Sequence, residues 1–392
     1  MKSVFDLVQQ DFKEKGLVEV PCMLERLMAS EGCHLFNLKN LMSRRFFHAN
    51  SLENFRKHVI MMAPSGFSKS TVYRTFLNER DGLFSGAIKT TMEHSFSPES
   101  WMGTIESDGR GGKVLSHGLF HEHKQSIVGC DEFQRLAHIM NRGEGETNEE
   151  SYLMTALDTD RVKKRLSYGN ISVENIGMTL WAGMRPFKLD LASGFARRFS
   201  FQLFFPTMSI AEEFKKASRS KSMAKTTTDR FRDELAFAVD ELNNRLEEIN
   251  DIDYTAVERW CDTYPNIPHF EEKIYKHISL GYAVSKGQLS SSCVRIEMDS
   301  GLDKLLRNEH DASEIIRQDP ELQMLYEVIR DAGRIHKTLL MNFATSHYQL
   351  PKVKVERILD FLRLQGRIKA DGANHLTIAE AESSYKIVVQ KT

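Results

Sequence analysis

The spacing of apolar residues along this chain changes several times, and each change predicts a different kind of element. Apolar residues stand three or four positions apart over residues 1 to about 57 and again over 229–310, which predicts helices. Between these stretches, short apolar runs predict buried strands at His58–Met62, 126–130, 178–184 and 200–205. Strands that alternate with helices in this way predict an α/β fold.

The last part of the sequence has a second pattern. Helical spacing over Leu322–Asp331, Ile335–Ala344 and Pro351–Arg363 is followed by a hairpin signal over Gly366–Ile378, with an Asp-Gly turn. Three helices and a hairpin in this order predict a winged-helix domain, a relative of the helix-turn-helix. Such domains bind DNA or proteins, and basic residues in the third helix and the hairpin favour DNA. Three of them are our candidate DNA-binding residues here: Lys352, Lys354 and Arg357.

These patterns divide the chain into four segments. They are an N-terminal helical segment at 1–57, an α/β core at 58–210, a helical lid subdomain with a basic linker (215–230) at 211–315, and the winged helix at 316–392. The 53 Lys and Arg nearly balance the 54 Asp and Glu, so any nucleic-acid surface has to come from local clusters of cations.

Cysteine usage and hydropathy indicate the cellular compartment of the protein. Five dispersed cysteines without a C-x-x-C pair argue for a reducing compartment, and against a zinc site or a disulfide framework. No apolar run is long enough to span a membrane, and the first residues do not resemble a secretory signal. We therefore expect a cytoplasmic, nucleoid-associated protein without a membrane partner.

The stretch from His58 to Ser70 carries the strongest candidate chemistry. An apolar run, a loop of small residues, Lys-Ser and a helix-forming run (71–77) follow in the order of a phosphate-binding P-loop, where N–H groups face an anion. In this interpretation Lys69 binds the terminal phosphates and Ser70 holds Mg²⁺. A helix N-cap in an ordinary loop is the alternative, because Ala63 and Ser68 replace the usual glycines. The candidate nucleotide-binding residues are Ala63, Pro64, Ser65, Gly66, Phe67, Ser68, Lys69 and Ser70.

A pair of carboxylates follows the buried strand at 126–130. Asp131 is placed to hold a Mg²⁺ ion through water, and Glu132 to polarise the attacking water. An Asp-Glu pair at the end of a strand is common by chance, but it is much less common downstream of a P-loop with a helix between them.

Two arginines near later strands are further candidates. Arg185 ends the strand at 178–184, which we expect between the two phosphate-site strands, where a polar group can sense the γ-phosphate. Arg198 precedes the strand at 200–205, a position from which an oligomeric ATPase offers a cation to its neighbour's nucleotide. Arg197 is the weaker candidate for the same role.

Two hairpin signals lie in the core. Residues 107–113 form a Gly-rich turn between Thr104-Ile105 and Val114-Leu115, and for the nearby His117, His121 and His123 a solvated loop is favoured over a metal site. Gly169-Asn170 predicts a turn after a strand that carries four cations, which suits a nucleic-acid backbone or, alternatively, a solvated edge strand protected by charge. The four cations are Arg161, Lys163, Lys164 and Arg165.

Together these motifs resemble the AAA+ and winged-helix parts of the minichromosome maintenance (MCM) replicative helicases, over residues 20 to 380 and most strongly over 58–205. The pre-lysine Ser68, the run Asp131 to Arg135, the stretch between the two motifs and Arg198-Phe199 match the family's patterns. The resemblance implies an AAA+ P-loop NTPase core with a helical lid and a winged helix, ATP and Mg²⁺ as cofactors, and a homo-oligomeric, hexameric ring. In that ring, Arg198 acts on the neighbouring subunit's ATP, and the basic hairpin tracks DNA, as a single strand or a fork, in the central channel.

The sequence also departs from the family's pattern. Ala63 replaces the first P-loop glycine, Met184-Arg185 stand where the sensor asparagine is expected, and Ser200 replaces the Asp after the finger. The helix that begins near Phe270 offers only Lys273 as a second sensor, and the family's N-terminal barrel and zinc module are not found.

The function that the resemblance implies is ATP-dependent DNA translocation and unwinding in replication, by a shortened form of the kind that a virus, plasmid or integrated element carries, with possible replication partner proteins. One alternative is a replication initiator or regulatory ATPase that assembles with ATP and does not unwind. Another is a protein-remodelling AAA+ machine, which predicts aromatic pore loops, whereas this hairpin is basic.

Overall fold

The computed structural model describes residues 2–14, 20–67, 69–93, 100–107, 113–131, 133, 148–166, 169–186, 198–219, 229–264, 267–372 and 374–379. Within this part of the chain the helices are α1 Val4–Glu14, α2 Met23–Ser43, α3 Lys69–Leu77, α4 Leu119–Glu122, α5 Asn148–Asp158, α6 Met208–Arg219, α7 Asp229–Leu246, α8 Thr255–Cys261, α9 His269–Ser285, α10 Ser300–Gln318, α11 Pro320–Ala332, α12 Lys337–His347 and α13 Lys352–Leu364.

The strands in the same ranges are β1 Phe47–His48, β2 Ser51–Leu52, β3 His58–Met62, β4 Thr90–Glu93, β5 Gly103–Ser107, β6 Lys113–His117, β7 Ile127–Cys130, β8 Arg161–Leu166, β9 Gly169–Glu174, β10 Thr179–Met184, β11 Phe199–Leu203, β12 Asp251–Asp253, β13 Cys293–Arg295, β14 Arg334–His336, β15 Ile368–Asp371 and β16 His375–Ile378. None of the described helices combines the length and the apolar character that a membrane crossing requires.

The chain divides into two compact units. The large unit comprises residues 1–63, 68–204 and 221–318, and the small unit comprises residues 64–67, 205–220 and 319–392. The four sequence segments remain a prediction.

A five-stranded parallel sheet forms the centre of the large unit. Its strand order is β11-β3-β10-β7-β4, so β10 lies between β3 and β7, as the sequence predicted. All residues of β3, β7 and β10 are buried, which explains why these strands appear in the sequence as continuous apolar runs. The prediction of an α/β fold is therefore confirmed.

Helix α2 lies against both the sheet and helix α9. A Cβ atom on Gly32 would lie 2.0 Å from the carbonyl oxygen of Gly281, so the backbones of α2 and α9 touch. On the sheet side, the Trp181 indole N–H donates to Ser30 Oγ at 2.8 Å, and the His34 Nδ1 lies 2.9 Å from Thr179 Oγ1. Only glycine allows such close approach of two helices.

A buried polar network links α2, β11 and α10. The Arg26 guanidinium pairs with the Glu309 carboxylate and also donates to Asn308 Oδ1 at 2.7 Å. Glu309 Oε2 in addition accepts from Ser200 Oγ at 2.7 Å and from the Phe201 N–H at 3.3 Å. Arg26 and Glu309 are both almost fully buried, so each charge depends on the other.

A second carboxyl group, that of Glu31 in α2, is fully buried, and no cation of the described residues makes an ion pair with it. Its Oε2 accepts a hydrogen bond from Ser285 Oγ at 2.7 Å, and burial raises its pKa from the ordinary value of 4.5 to about 7. The proton is therefore held more tightly in the folded state. The stabilisation from this group is complete below pH 4.5 and is lost as the pH rises from there through 7.

We expect Glu31→Gln to be more stable than the parent protein at pH 8, by up to about 3 kcal/mol, and equally stable at pH 4.5. The measurement is urea unfolding from pH 4.5 to 8 followed by tryptophan fluorescence, since Trp101, Trp181 and Trp260 all lie in the large unit. Burial lowers the pKa of His34 to about 3, and this changes the stability of both proteins equally with pH. The contribution of His34 therefore cancels in the stability difference between them. A stability difference between the two proteins that does not change with pH would contradict the raised pKa of Glu31.

The small unit contains α6, α11, α12, α13 and the three-stranded antiparallel sheet β14-β16-β15. Asp319 caps α11 by accepting from the Glu321 N–H at 3.0 Å, with Pro320 at the first helical position. Gly372 has a φ of +74° between β15 and β16, which suits glycine in a turn. The predicted three helices and hairpin are thus present, and β14 adds a third strand.

Two local predictions were wrong. The basic stretch 215–230 was predicted as a linker, but residues 215–219 belong to α6. The hairpin turn was predicted at Gly169-Asn170, but both residues are paired in β9, Gly169 with Leu166 and Asn170 with Arg165. This register places buried Val162 opposite buried Val173, and that apolar pairing outweighs the local turn preference.

Candidate nucleotide-binding site

The candidate loop follows β3 at the carboxyl edge of the sheet. The Ala63 N–H donates to the Met184 carbonyl at 3.1 Å, which extends the pairing of β3 and β10 by one residue. Helix α3 begins at Lys69, so Lys69 and Ser70 lie in its first turn, where backbone N–H groups have no partner within the helix. The helix is fixed to the sheet by the Tyr73 hydroxyl, which donates to the Ala182 carbonyl at 2.9 Å.

Residues 64–67 group with the small unit and form a turn. Gly66 has a φ of +85°, a conformation that residues with a Cβ rarely adopt. Phe67 packs edge-on against Phe214 of α6, with the ring centroids 5.4 Å apart. The predicted nucleotide-binding residue Ser68 lies outside the described residues.

Lys69 is a partly buried cation directed at the start of the loop. Its Nζ donates to the Ala63 carbonyl at 2.6 Å. Burial is the main cause that lowers the pKa of Lys69 to about 8, with repulsion from Arg185 in the same direction and attraction to Asp131 in the opposite one. An anion such as a phosphate beside Lys69 would raise this pKa again, because a neighbouring opposite charge favours the protonated amine.

Asp131 follows β7 at the same edge. Its Oδ2 accepts from Arg74 Nη2 at 3.1 Å, whereas its buried Oδ1 has no hydrogen-bond partner among the described residues. Such an orphaned carboxylate oxygen fits a bound Mg²⁺ or one of its water ligands, because Mg²⁺ prefers oxygen. The residues present therefore fit the ion that the sequence predicted, with Asp131 and the hydroxyl of Ser70 as candidate ligands.

Arg74 is a residue of this site that was not predicted from the sequence. It stands four residues after Ser70, one helical turn later on the same face of α3, and this spacing is the signal that could have found it. Its guanidinium makes an ion pair with Asp131.

The end of β10 completes this edge of the sheet. A Cβ atom on Gly183 would lie 3.3 Å from the Asp131 carbonyl oxygen and 3.6 Å from Lys69 Cβ, so the three residues converge. Arg185 follows two residues later and is exposed. The structure therefore brings together Lys69, Asp131 and Arg185. Glu132, the predicted water-activating residue, lies outside the described residues.

Arg198 is not part of this cluster. It precedes β11, and Phe199 is paired with His58, so Arg198 lies at the amino edge of the sheet, about 16 Å of strand length from the P-loop edge. It pairs with Asp158 and lines a cavity of about 420 Å³, and Lys273 lines the same cavity. Arg197 lies outside the described residues.

The predicted basic hairpin is β8 paired with β9. Alternation along β8 places Arg161, Lys163 and Arg165 on the exposed face, while Lys164 is half-buried on the face of Val162. Arg161 Nε pairs with Glu174 Oε1 at 2.9 Å across the strands. The four cations thus differ in their exposure to solvent.

Arg56 holds the base of this hairpin. Its buried guanidinium donates to the Met178 carbonyl at 2.6 Å and the Thr159 carbonyl at 3.1 Å, and it pairs with Asp160 at 3.2 Å. The hairpin therefore projects from a fixed support.

The other predicted site residues are separate from this edge of the sheet. His117 and His121 stack with their ring centroids 3.7 Å apart, and His123 Nε2 lies 2.8 Å from Glu93 Oε1. In the small unit, Lys352, Lys354 and Arg357 are exposed on α13, and Lys354 pairs with Glu321.

No protein-family model matches the sequence, and no curated protein matches it either. The resemblance to MCM proteins therefore rests on the motifs named above.

Proposed function

We propose that the chain is an MCM-like AAA+ ATPase, with a helical lid and a winged helix, that translocates along DNA and unwinds it. The observation that carries the proposal is the convergence of Lys69, Asp131 and the end of β10 at one edge of a parallel sheet. Ligands of open α/β sheets bind at this carboxyl edge.

Each residue has a role in this proposal. Lys69 binds the β- and γ-phosphates of ATP, and the N–H groups at the start of α3 bind the same anion. Asp131 and Ser70 hold Mg²⁺, which neutralises charge on the phosphates when bound. Arg185, directly after the strand between β3 and β7, contacts the γ-phosphate, and Glu132 orients the attacking water.

The position of Arg198 supports a ring. A cation at the amino edge of the sheet cannot reach the P-loop of its own subunit across the length of β11, but it can face a neighbour's nucleotide. Lys273 lines the same cavity as Arg198 and offers a second cation there. We propose a hexameric homo-oligomer in which both side chains stabilise negative charge on the transferred phosphoryl group.

The exposed face of β8 supports DNA as the substrate. Lys163 and Arg165 project from this face on a hairpin whose base Arg56 fixes. Regularly spaced cations suit the phosphates of a strand, and they contact it without regard to sequence.

We expect Lys163→Ala and Arg165→Ala each to weaken DNA binding and to lower the slope of log affinity against log salt by about 0.7 to 0.9, the value for one phosphate contact. Arg161→Ala is the matched control, because Glu174 already neutralises Arg161. Fluorescence anisotropy with single-stranded DNA at several salt concentrations measures both quantities. Equal effects of all three variants would contradict the assignment of the exposed face.

The proposed function as a whole is tested by strand displacement. The protein with ATP and Mg²⁺ should unwind a forked duplex, and Arg198→Ala mixed with Lys69→Ala should regain ATP hydrolysis, because each variant keeps the residue that the other lacks. ATP binding without displacement of any forked substrate would overturn the helicase and leave the initiator or regulatory ATPase. Ala63 and Arg185, which depart from the helicase pattern, favour that alternative.

A further inference from the structure

Helix α13 of the small unit has an outer face that none of the described elements of this unit buries. Val355, Ile358, Leu359 and Leu362 on its inner side are buried, and they account for its packing within the unit. On the outer side, Val353 is 62% exposed, Phe361 is 49% exposed and Leu364 is 86% exposed. Several exposed apolar side chains on one side of a helix indicate a candidate interaction surface.

Two of these three apolar residues, Val353 and Leu364, belong to a regular stripe, and Phe361 lies to one side of it. Val353, Arg357, Asp360 and Leu364 are spaced by four, three and four residues, which places all four on one face of the helix. Arg357 and Asp360 are both exposed between the two apolar ends, and Asp360 also makes a surface ion pair with Arg363 of the same helix at 3.6 Å. The stripe therefore has the order apolar, cation, anion, apolar.

When a second copy of the helix runs in the opposite direction, each residue type of the stripe faces a type that it can contact favourably: apolar faces apolar, and cation faces anion. In an antiparallel pair of such helices, a two-fold axis between residues 358 and 359 places Val353 opposite Leu364 of the second copy. The same axis places Arg357 opposite Asp360 of the second copy, twice by symmetry. Interfaces of two-fold dimers require this self-complementarity.

The charges on α13 fit DNA less well. Glu356 and Asp360 are exposed on the same helix as Lys352 and Arg357, and Lys354 is already paired with Glu321. Carboxylates on the contact face would repel the phosphates of DNA. The exposed apolar side chains of Val353 and Leu364 would make no favourable contact with phosphates.

We propose that two copies of this chain associate through an antiparallel pair of α13 helices, with Val353 against Leu364 and Arg357 against Asp360 of the second copy. One helix face per copy is smaller than a standard protein interface, so we expect a dissociation constant of about 10 µM or weaker for this contact alone. The pairing needs no nucleotide, and its test is independent of the proposed ATPase.

The register is tested by disulfide formation in the full chain. Cys293 is the only native cysteine that is not buried, so the parent is Cys293→Ser. A mixture of Val353→Cys and Leu364→Cys proteins should form a cross-linked dimer under mild oxidation, and either protein alone should form much less. Within one α13 the two positions lie about 16 Å apart, too far for a disulfide.

The charge contact is tested by exchange in the same mixture. Arg357→Asp or Asp360→Arg should each lower the cross-linking yield about tenfold, and the double exchange in both copies should restore it. Thermal unfolding of each variant confirms that the small unit remains folded.

Two outcomes would overturn the proposal. One is cross-linking of Val353→Cys with itself but not with Leu364→Cys, which means a different arrangement. The other is an absence of cross-linking between the two folded proteins. If DNA affinity then also falls in Arg357→Asp and is not restored by the double exchange, this face is assigned to DNA.

Discussion

Lys69→Ala should reduce ATP hydrolysis at least 100-fold, the range found when one preorganised group is removed from a developing charge. Lys69 is the partly buried cation of the loop, its Nζ lies 2.6 Å from the Ala63 carbonyl, and burial together with Arg185 lowers its pKa to about 8. Phosphate release under saturating ATP measures the loss, and binding of a fluorescent ATP analogue separates affinity from turnover.

The matched control is Lys89→Ala. Lys89 is exposed in the same unit and donates to the Lys124 carbonyl at 3.1 Å, away from the proposed nucleotide. This variant should keep the parent's rate. If Lys69→Ala retained more than about a tenth of the parent's activity, the loop would not be the catalytic phosphate site.

Arg26→Met should destabilise the large unit by about 3 to 5 kcal/mol, because it leaves the buried Glu309 carboxylate without its cation. The double variant Arg26→Met with Glu309→Leu should recover most of the loss, since an apolar pair of similar volume replaces a buried ion pair at little cost. Urea unfolding followed by tryptophan fluorescence gives both values.

Arg230→Met serves as the control for this pair. Arg230 is largely exposed and pairs with Glu234 on the surface, so its replacement should change stability by less than about 0.5 kcal/mol. If the double variant were as unstable as Arg26→Met, the loss would come from packing around Arg26 and not from the uncompensated charge.

The sequence predicted those parts of the fold that local patterns encode. The strand His58–Met62 has the bounds predicted for it, and β10 lies between β3 and β7, where we expected it. The three helices of the small unit were equally visible, because apolar spacing and a helix-starting proline mark them.

Contacts between distant residues could not be predicted in this way. Arg26 and Glu309 are separated by 283 positions, and nothing in either local sequence indicates that they form one network. The turn at Gly169-Asn170 failed for a related reason, since the cross-strand pairing of Val162 with Val173 sets the register. Arg74 was overlooked because its partner Asp131 lies on another element.

The contact between Gly32 and Gly281 limits how the large unit can move. With backbone against backbone, α2 and α9 have no layer of side chains between them that could yield by changing rotamers. Ser30 and His34 also link α2 to β10 through hydrogen bonds. We therefore expect α2, α9 and β10 to move together as one rigid group. In the ATPase that we propose, any movement of α9 would therefore carry α2 and the sheet with it, and we expect movement driven by ATP to arise between subunits or in segments other than these three elements.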